Sequence, residues 1–406
     1  MPKADPKILL DAFNLPPAEA IEFFRRKGYI ISFDWWETWQ EAHARAFTVA
    51  KAMRLDILRD IREAVDAAIA EGKTFREFQK ELEPKLRAKG WWGKQKIIDP
   101  KTGEAVEAWL GTPWRLKTIF RTNLQSAYMA GRYKQMLEVA EDRPYWRYLA
   151  VLDQKTRPSH RALHGKIFRY DDPFWKTHYP PNGWNCRCHV QSLSERQLKA
   201  WGLEDRVESS EGKLKEEWAL VSEKTGELRP VTVYHDGKIV MAPDPGFSYN
   251  PGRAAWQPNL DRYPYDVAKK YLEGAVTGPD FTRFFEGKTG GTFPVAVLNE
   301  DFRKAIKAES QTVLLSEETL AKNKARHPEL EVRDYQMLPD VIDRAHLAIQ
   351  DGERTLVFYQ AGDKIYYAVV KATKSGRALF LTSFRLASHT DVERLKKKGK
   401  VLKDEL

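Results

Sequence analysis

Cys186 and Cys188 are the chain's two cysteines, one residue apart, with histidines gathered just upstream. The stretch reads Asp153-Gln-Lys-Thr-Arg-Pro-Ser-His160, a spacer holding His164, then His178-Tyr-Pro-Pro-Asn-Gly-Trp-Asn-Cys-Arg-Cys188. Two chemistries use such a Cys-x-Cys. A disulfide between the two is geometrically poor, because alternate residues of an extended segment stand about 6.5–7 Å apart at the backbone. Zinc suits them better, since structural sites combine two thiolates with two imidazoles in a tetrahedron. His160 and His178 are the histidines expected to complete the four, with His164, His189 and Asp153 as substitutes. Such a set closes the coordination sphere and leaves no position for an attacking water, so the expected zinc is structural. The spacing is not that of a zinc finger, and a plainer role stays open: two small reduced core residues beside surface histidines.

The elements around the motif must hold it. Trp146, Tyr148, Ala150 and Leu152 alternate with Arg147 and Leu149, which predicts a strand leading in. A second strand near His189 to Ser192 leads out, and Ser194 with Gln197 caps a helix. Upstream, helices are expected. Pro17 opens a short one with Ile21 and Phe24, and the stripe Val49, Met53, Ile57, Ile61, Val65, Ile69 predicts a longer one stopped by Gly72. Thr74 with Glu77 begins the next, carrying Phe78, Leu82 and Leu86. After a turn at Asp99–Gly103, Pro113 starts a long helix with Leu116, Phe120, Leu124 and Leu137. Downstream, 230–241 reads as a hairpin about Asp236-Gly237, and 242–264 as an extended segment with little periodicity.

Asp153-x-x-Thr156-Arg157-Pro158-x-His160, Gly165, Asp172-Pro173-Phe174-Trp175 and Pro180-Pro181-Asn182 leading into Cys186-Arg187-Cys188 resemble the Mu F-like minor head proteins of tailed bacteriophages. Arg121-Thr122-Asn123 and Gly246-Phe247-Ser248-Tyr249-Asn250-Pro251-Gly252 fit the same family. The resemblance favours His160 and His178 over His164 and His189 as the zinc pair. It implies a head-morphogenesis protein in the virion and the host cytoplasm, partnered by the portal and procapsid components and near packaged DNA.

At 406 residues several domains are expected. The net charge of +10 is spread over both sides of Pro294 and suits contact with nucleic acid or an acidic protein. It equally suits ordinary solvated charge. No apolar run reaches membrane-span length, and the N-terminus lacks a signal peptide's hydrophobic segment. The final Lys403-Asp404-Glu405-Leu406 matches a retrieval tag by coincidence, on what reads as a charged helical tail. Gly287-Lys-Thr-Gly-Gly291 lacks the spacing of a phosphate-binding loop.

The C-terminal hundred residues have their own pattern. Helices at Asp301–Ala308 and Glu317–Ala325 precede three alternating strands near Thr355–Tyr359, Ile365–Lys371 and Ala378–Arg385, and a short helix over Asp391–Lys398 follows. Lys324-Ala-Arg326-His327-Pro328-Glu329, Leu338-Pro339 with Ile342, and Thr382-Ser383-Phe384-Arg385 resemble the phage-associated barnase–EndoU–colicin–RelE nuclease group. That resemblance implies metal-independent RNA cleavage by an effector domain. His327 would be acid or base, Arg385 would hold the phosphate and Ser383 would donate to it. Lys371 and Thr382 are further candidates, with His346 and Arg326 in reserve. Strand alternation predicts Ser383 and Arg385 on the face of Leu379 and Leu381. The alternative is a structural head protein whose C-terminal domain binds nucleic acid or protein without cleaving anything.

The expected architecture is therefore multidomain. A mainly α N-terminal region (helical 1–142) carries a small β/loop zinc-motif region (143–200) and a hairpin with an extended segment (201–276). A linker (277–294) leads to an α+β domain (295–406) with an antiparallel three- to four-stranded sheet.

Overall fold

The computed structural model describes residues 18–388, 392, 394, 396–397 and 399–406. Two compact units emerge. One comprises the described residues before Arg26, Ile31–Gln40 and Thr48–Gln257; the other comprises Arg26–Ile30, Glu41–Phe47 and Pro258–Leu406.

Local rules build the first unit's helices. In Leu55–Glu71 the apolar stripe Ile57, Leu58, Ile61, Val65, Ala68 and Ile69 is buried. Each of the larger side chains, Ile, Leu and Val, contributes about 1.5–3 kcal/mol by leaving water. Gly72 ends this helix at φ 67°, a left-handed conformation that costs glycine little, and its N–H donates to the Ala68 carbonyl. Thr74 and Glu77 form the expected capping box on Phe75–Ala88. Pro113 opens Pro113–Glu138, whose first turn is capped by Thr112 Oγ1 accepting from the Arg115 N–H. Met53 is exposed, so the stripe begins later than expected.

This unit is mixed α/β, which corrects the expectation of a mainly α region. The Asp99–Gly103 turn joins a hairpin, Lys94–Ile98 with Ala105–Trp109. A four-stranded sheet runs in the order His189–Leu193, Tyr145–Leu149, Ile167–Arg169, Val207–Glu208. A three-stranded sheet runs Val240–Met241, Glu227–His235, Leu214–Ser222. The Asp236-Gly237 turn forms as predicted, with Asp236 Oδ1 accepting from the N–H groups of Lys238 and Ile239. The longer hairpin preceding it went unread. Residues 242–257 are not simply extended: Asn250 caps a helix, Pro251–Trp256, and its Nδ2 donates to the Trp175 carbonyl. The core beneath the four-stranded sheet is aromatic, with Trp146, Tyr148, Phe168, Phe174, Trp175, Tyr179 and Tyr234 all buried.

The second unit holds a seven-stranded sheet, wider than the three to four strands expected. Its order is Thr292–Val297, Thr312–Ser316, Leu379–Leu386, Tyr366–Ala372, Thr355–Gln360, Leu347–Gln350, Lys400–Asp404. The predicted meander forms its centre, but Thr312–Ser316 joins Leu379–Leu386 in parallel. Pro294 sits in the edge strand, where a missing N–H breaks no ladder. The Lys403-Asp404 tail is a strand paired to Leu347–Gln350, not a helix. Half of the helix expected over Asp391–Lys398, positions 391, 393, 395 and 398, lies outside the described residues.

The stretch read as a linker, 277–294, is structured. Pro279–Phe285 is a helix, and Phe281 and Phe284 join Val276 in the core of this unit. The division of the chain therefore falls after Gln257, earlier than the expected 276. Two short strands from early in the chain, Gly28–Tyr29 and Ala46–Phe47, pair in parallel within this unit. The helix Tyr265–Val276 lies against them so closely that a Cβ on Gly274 would stand 2.5 Å from the Arg45 carbonyl oxygen. Arg26 and Arg45 both bond Asp280, at 2.7 and 2.8 Å. Burial pushes the Asp280 carboxyl up, yet these two guanidiniums hold it below its ordinary value.

Candidate metal centre

The motif occupies the connection between two adjacent strands, Tyr145–Leu149 and His189–Leu193. Pro158 starts a single helical turn, Pro158–Ala162, that turns His160 inward. Cys186 and Cys188 close the connection just before His189. All three are buried, and their ligand atoms lie within 4.8 Å of one another. His160 Nδ1 stands 3.7 Å from Cys186 Sγ and 3.5 Å from Cys188 Sγ.

An ionic frame surrounds the cluster. Arg187, between the cysteines, reaches Asp153 with both Nη atoms at 2.7 and 2.6 Å, tying the end of the connection to its start. This bidentate pair and the Lys155 N–H hold the Asp153 carboxyl well below the usual carboxylate range. Arg157 donates to Asp244 Oδ2 and the Trp184 carbonyl, at 2.9 and 3.0 Å. Asp244 Oδ2 also accepts from the Trp184 N–H. Tyr148, whose hydroxyl accepts from Asn182 Nδ2 at 3.1 Å, adjoins Cys188. Asn182 and Asp244 went unassigned in the sequence, although Asn182 stands in the quoted Pro-Pro-Asn run.

His178 is not part of the cluster, which corrects its expected pairing with His160. It is fully buried, with Nδ1 at 2.9 Å from Thr177 Oγ1, Nε2 at 3.2 Å from the Met241 carbonyl, and its ring stacked on Phe174. Burial lowers its pKa to about 4, so it is a neutral core histidine. The substitutes are also placed elsewhere. His164 Nδ1 lies 3.1 Å from the backbone nitrogen and oxygen of Ala150. His189 begins the outgoing strand opposite Leu149, and Asp153 is held by Arg187.

The C-terminal candidates are spread over the sheet and a flanking helix. A β-bulge sets the facing of those on the strand Leu379–Leu386: Val369 pairs with Ser383 and Val370 with Leu381, leaving Thr382 as the extra residue. Leu379, Leu381 and Phe384 face the large core, so Ser383 and Arg385 turn to the opposite face. This corrects the expected shared face. Arg385 lies over the Tyr367 ring at 4.2 Å and donates to the Leu386 carbonyl, and Thr382 Oγ1 donates to the Val369 carbonyl. His327 ends the helix Glu317–Arg326, whose Leu320 belongs to the large core, and its Nδ1 meets Glu329 at 3.4 Å. Lys371 is exposed and pairs with Phe380, away from Arg385. His346 Nδ1 accepts from the Ala361 N–H.

No helix among the described residues is long and apolar enough to cross a membrane. No solved structure matches the chain. The "Putative capsid assembly protein F" of Escherichia phage Mu is 51% identical over 247 residues, covering 60% of this chain and 56% of that protein. The "Mu-like prophage FluMu F protein" of Haemophilus influenzae is 48% identical over 230 residues, 56% of this chain and 54% of that one. The chain thus aligns with little more than half the length of either relative. The family model described as Phage Mu protein F like protein matches residues 59–191, a span that includes His160, Cys186 and Cys188.

Proposed function

We propose that the chain is a capsid-assembly protein of a Mu-like phage or prophage, acting in head morphogenesis beside the portal and procapsid. The observation that carries this reading is the 51% identity over 247 residues to the putative capsid assembly protein of phage Mu. The first unit supplies the scaffold, and the second serves as a binding module for a head component. A binding role fits the second unit better than RNA cleavage, because the helix that His327 ends packs into the large core through Leu320, whereas Arg385 turns to the face of the sheet away from that core. The net positive charge of the chain also suits a surface that works near packaged DNA.

Deletion of the gene from an inducible Mu-like prophage is the test, with the wild-type chain supplied from a plasmid. Electron microscopy should show aberrant or missing heads in the deletion and normal heads on complementation. Normal heads and full infectious titre without the protein would overturn the reading.

A further inference from the structure

We propose that His160 Nδ1, Cys186 Sγ and Cys188 Sγ bind one zinc-class divalent ion, and that His178 is not a ligand of it. The dimensions carry the argument. With Zn–N near 2.0–2.1 Å and Zn–S near 2.3 Å, a tetrahedral site has N···S edges of about 3.5–3.6 Å. The observed separations are 3.7 and 3.5 Å. A single Nδ1 offers one in-plane lone pair or one N–H, so it cannot make a linear hydrogen bond to two sulfurs at once. One ion in the middle satisfies all three atoms together. Burial of two thiols and an imidazole without such a partner leaves weak donors and acceptors facing each other in a dry core.

Coordination through Nδ1 leaves the proton on Nε2, which then faces the Arg157 Nη1 donor at a long 3.4 Å and makes no hydrogen bond to it. Arg157 already has its closer partners in Asp244 and the Trp184 carbonyl, so ion binding costs it no strong contact. The two parts of the site come from the beginning and end of one long connection, so the ion closes that loop on itself.

The inference stands apart from the capsid reading and is tested without it. Full-length protein purified without chelator should contain about one zinc per chain by elemental analysis. His178→Gln should keep that zinc, and Cys186→Ser or His160→Ala should lose most of it. Replacement by cobalt in the wild-type chain should give thiolate charge-transfer bands and intense tetrahedral ligand-field bands. Should the substituted chains fail to fold, the wild-type protein still decides: stripping the ion with a strong chelator should make both thiols reactive to a disulfide reagent. Folded wild-type protein that takes up neither zinc nor cobalt, or a folded His178→Gln protein that loses its zinc, would overturn the proposal.

Discussion

His160 and His178 flank the same loop but are set by different neighbours. His178 follows Phe174 by one helical turn, and this spacing stacks the two rings and seats the imidazole in an aromatic core. His160 has no such partner in its helical turn and faces sulfur. The residue types were legible in the sequence, but their partition between core and cluster was not, because it depends on which way a short helical turn faces. A buried carboxylate gives a sharper prediction at this scale. Asp334 accepts from Lys364 Nζ at 2.6 Å, the Tyr366 hydroxyl at 2.8 Å and the Glu331 N–H at 2.7 Å. Burial alone would raise its pKa, yet these donors hold it below the ordinary 3.8. A depressed carboxylate pKa contributes stability that is complete above the unfolded value and lost as pH falls through the folded one. Asp334→Asn should therefore cost about 2 kcal/mol at pH 7. That difference should narrow below about pH 4 in denaturant titrations. An equal difference at pH 7 and pH 3 would contradict the assignment.

Among the elements, those defined by local chemistry were readable. Thr74 and Ser194 cap helices where their side chains predict, and Gly72 ends one. Short strands that exist only through pairing were not. Val207–Glu208 and Gly28–Tyr29 have two residues each, and their ladders are fixed by Ile167–Phe168 and Ala46–Phe47, well away in sequence. The outer strand Thr292–Val297 hid behind the preceding Gly290-Gly291 and its own Pro294, residues that mark a linker as readily as a protected sheet edge. The bulge at Thr382 has no cue at all: one extra residue reverses the facing of everything after it. Its consequence is testable. Full-length protein should cleave cellular RNA no faster than buffer, and His327→Ala and Arg385→Ala should change nothing. Cleavage by the wild-type chain that both substitutions abolish would restore the nuclease assignment and remove the binding-module one.

The whole molecule divides where composition gave little warning. Helices Tyr265–Val276 and Pro279–Phe285 belong with the sheet that follows, because Val276, Phe281 and Phe284 fill its core. A fragment starting at residue 295 should therefore melt broadly and bind a hydrophobic dye, whereas full-length protein melts sharply; a sharp transition in the fragment would show those three side chains to be dispensable. Even residues 258–406 leave Asp280 without Arg26 and Arg45, which come from the opposite end of the sequence. Those contacts span 254 and 235 positions. During translation the two arginines emerge early and wait for a carboxylate made far later, so no nascent polypeptide short of Asp280 can finish this half. Prematurely released products would carry an unfinished sheet and an exposed strand pair, and quality-control proteases would have a ready means of telling them from completed molecules.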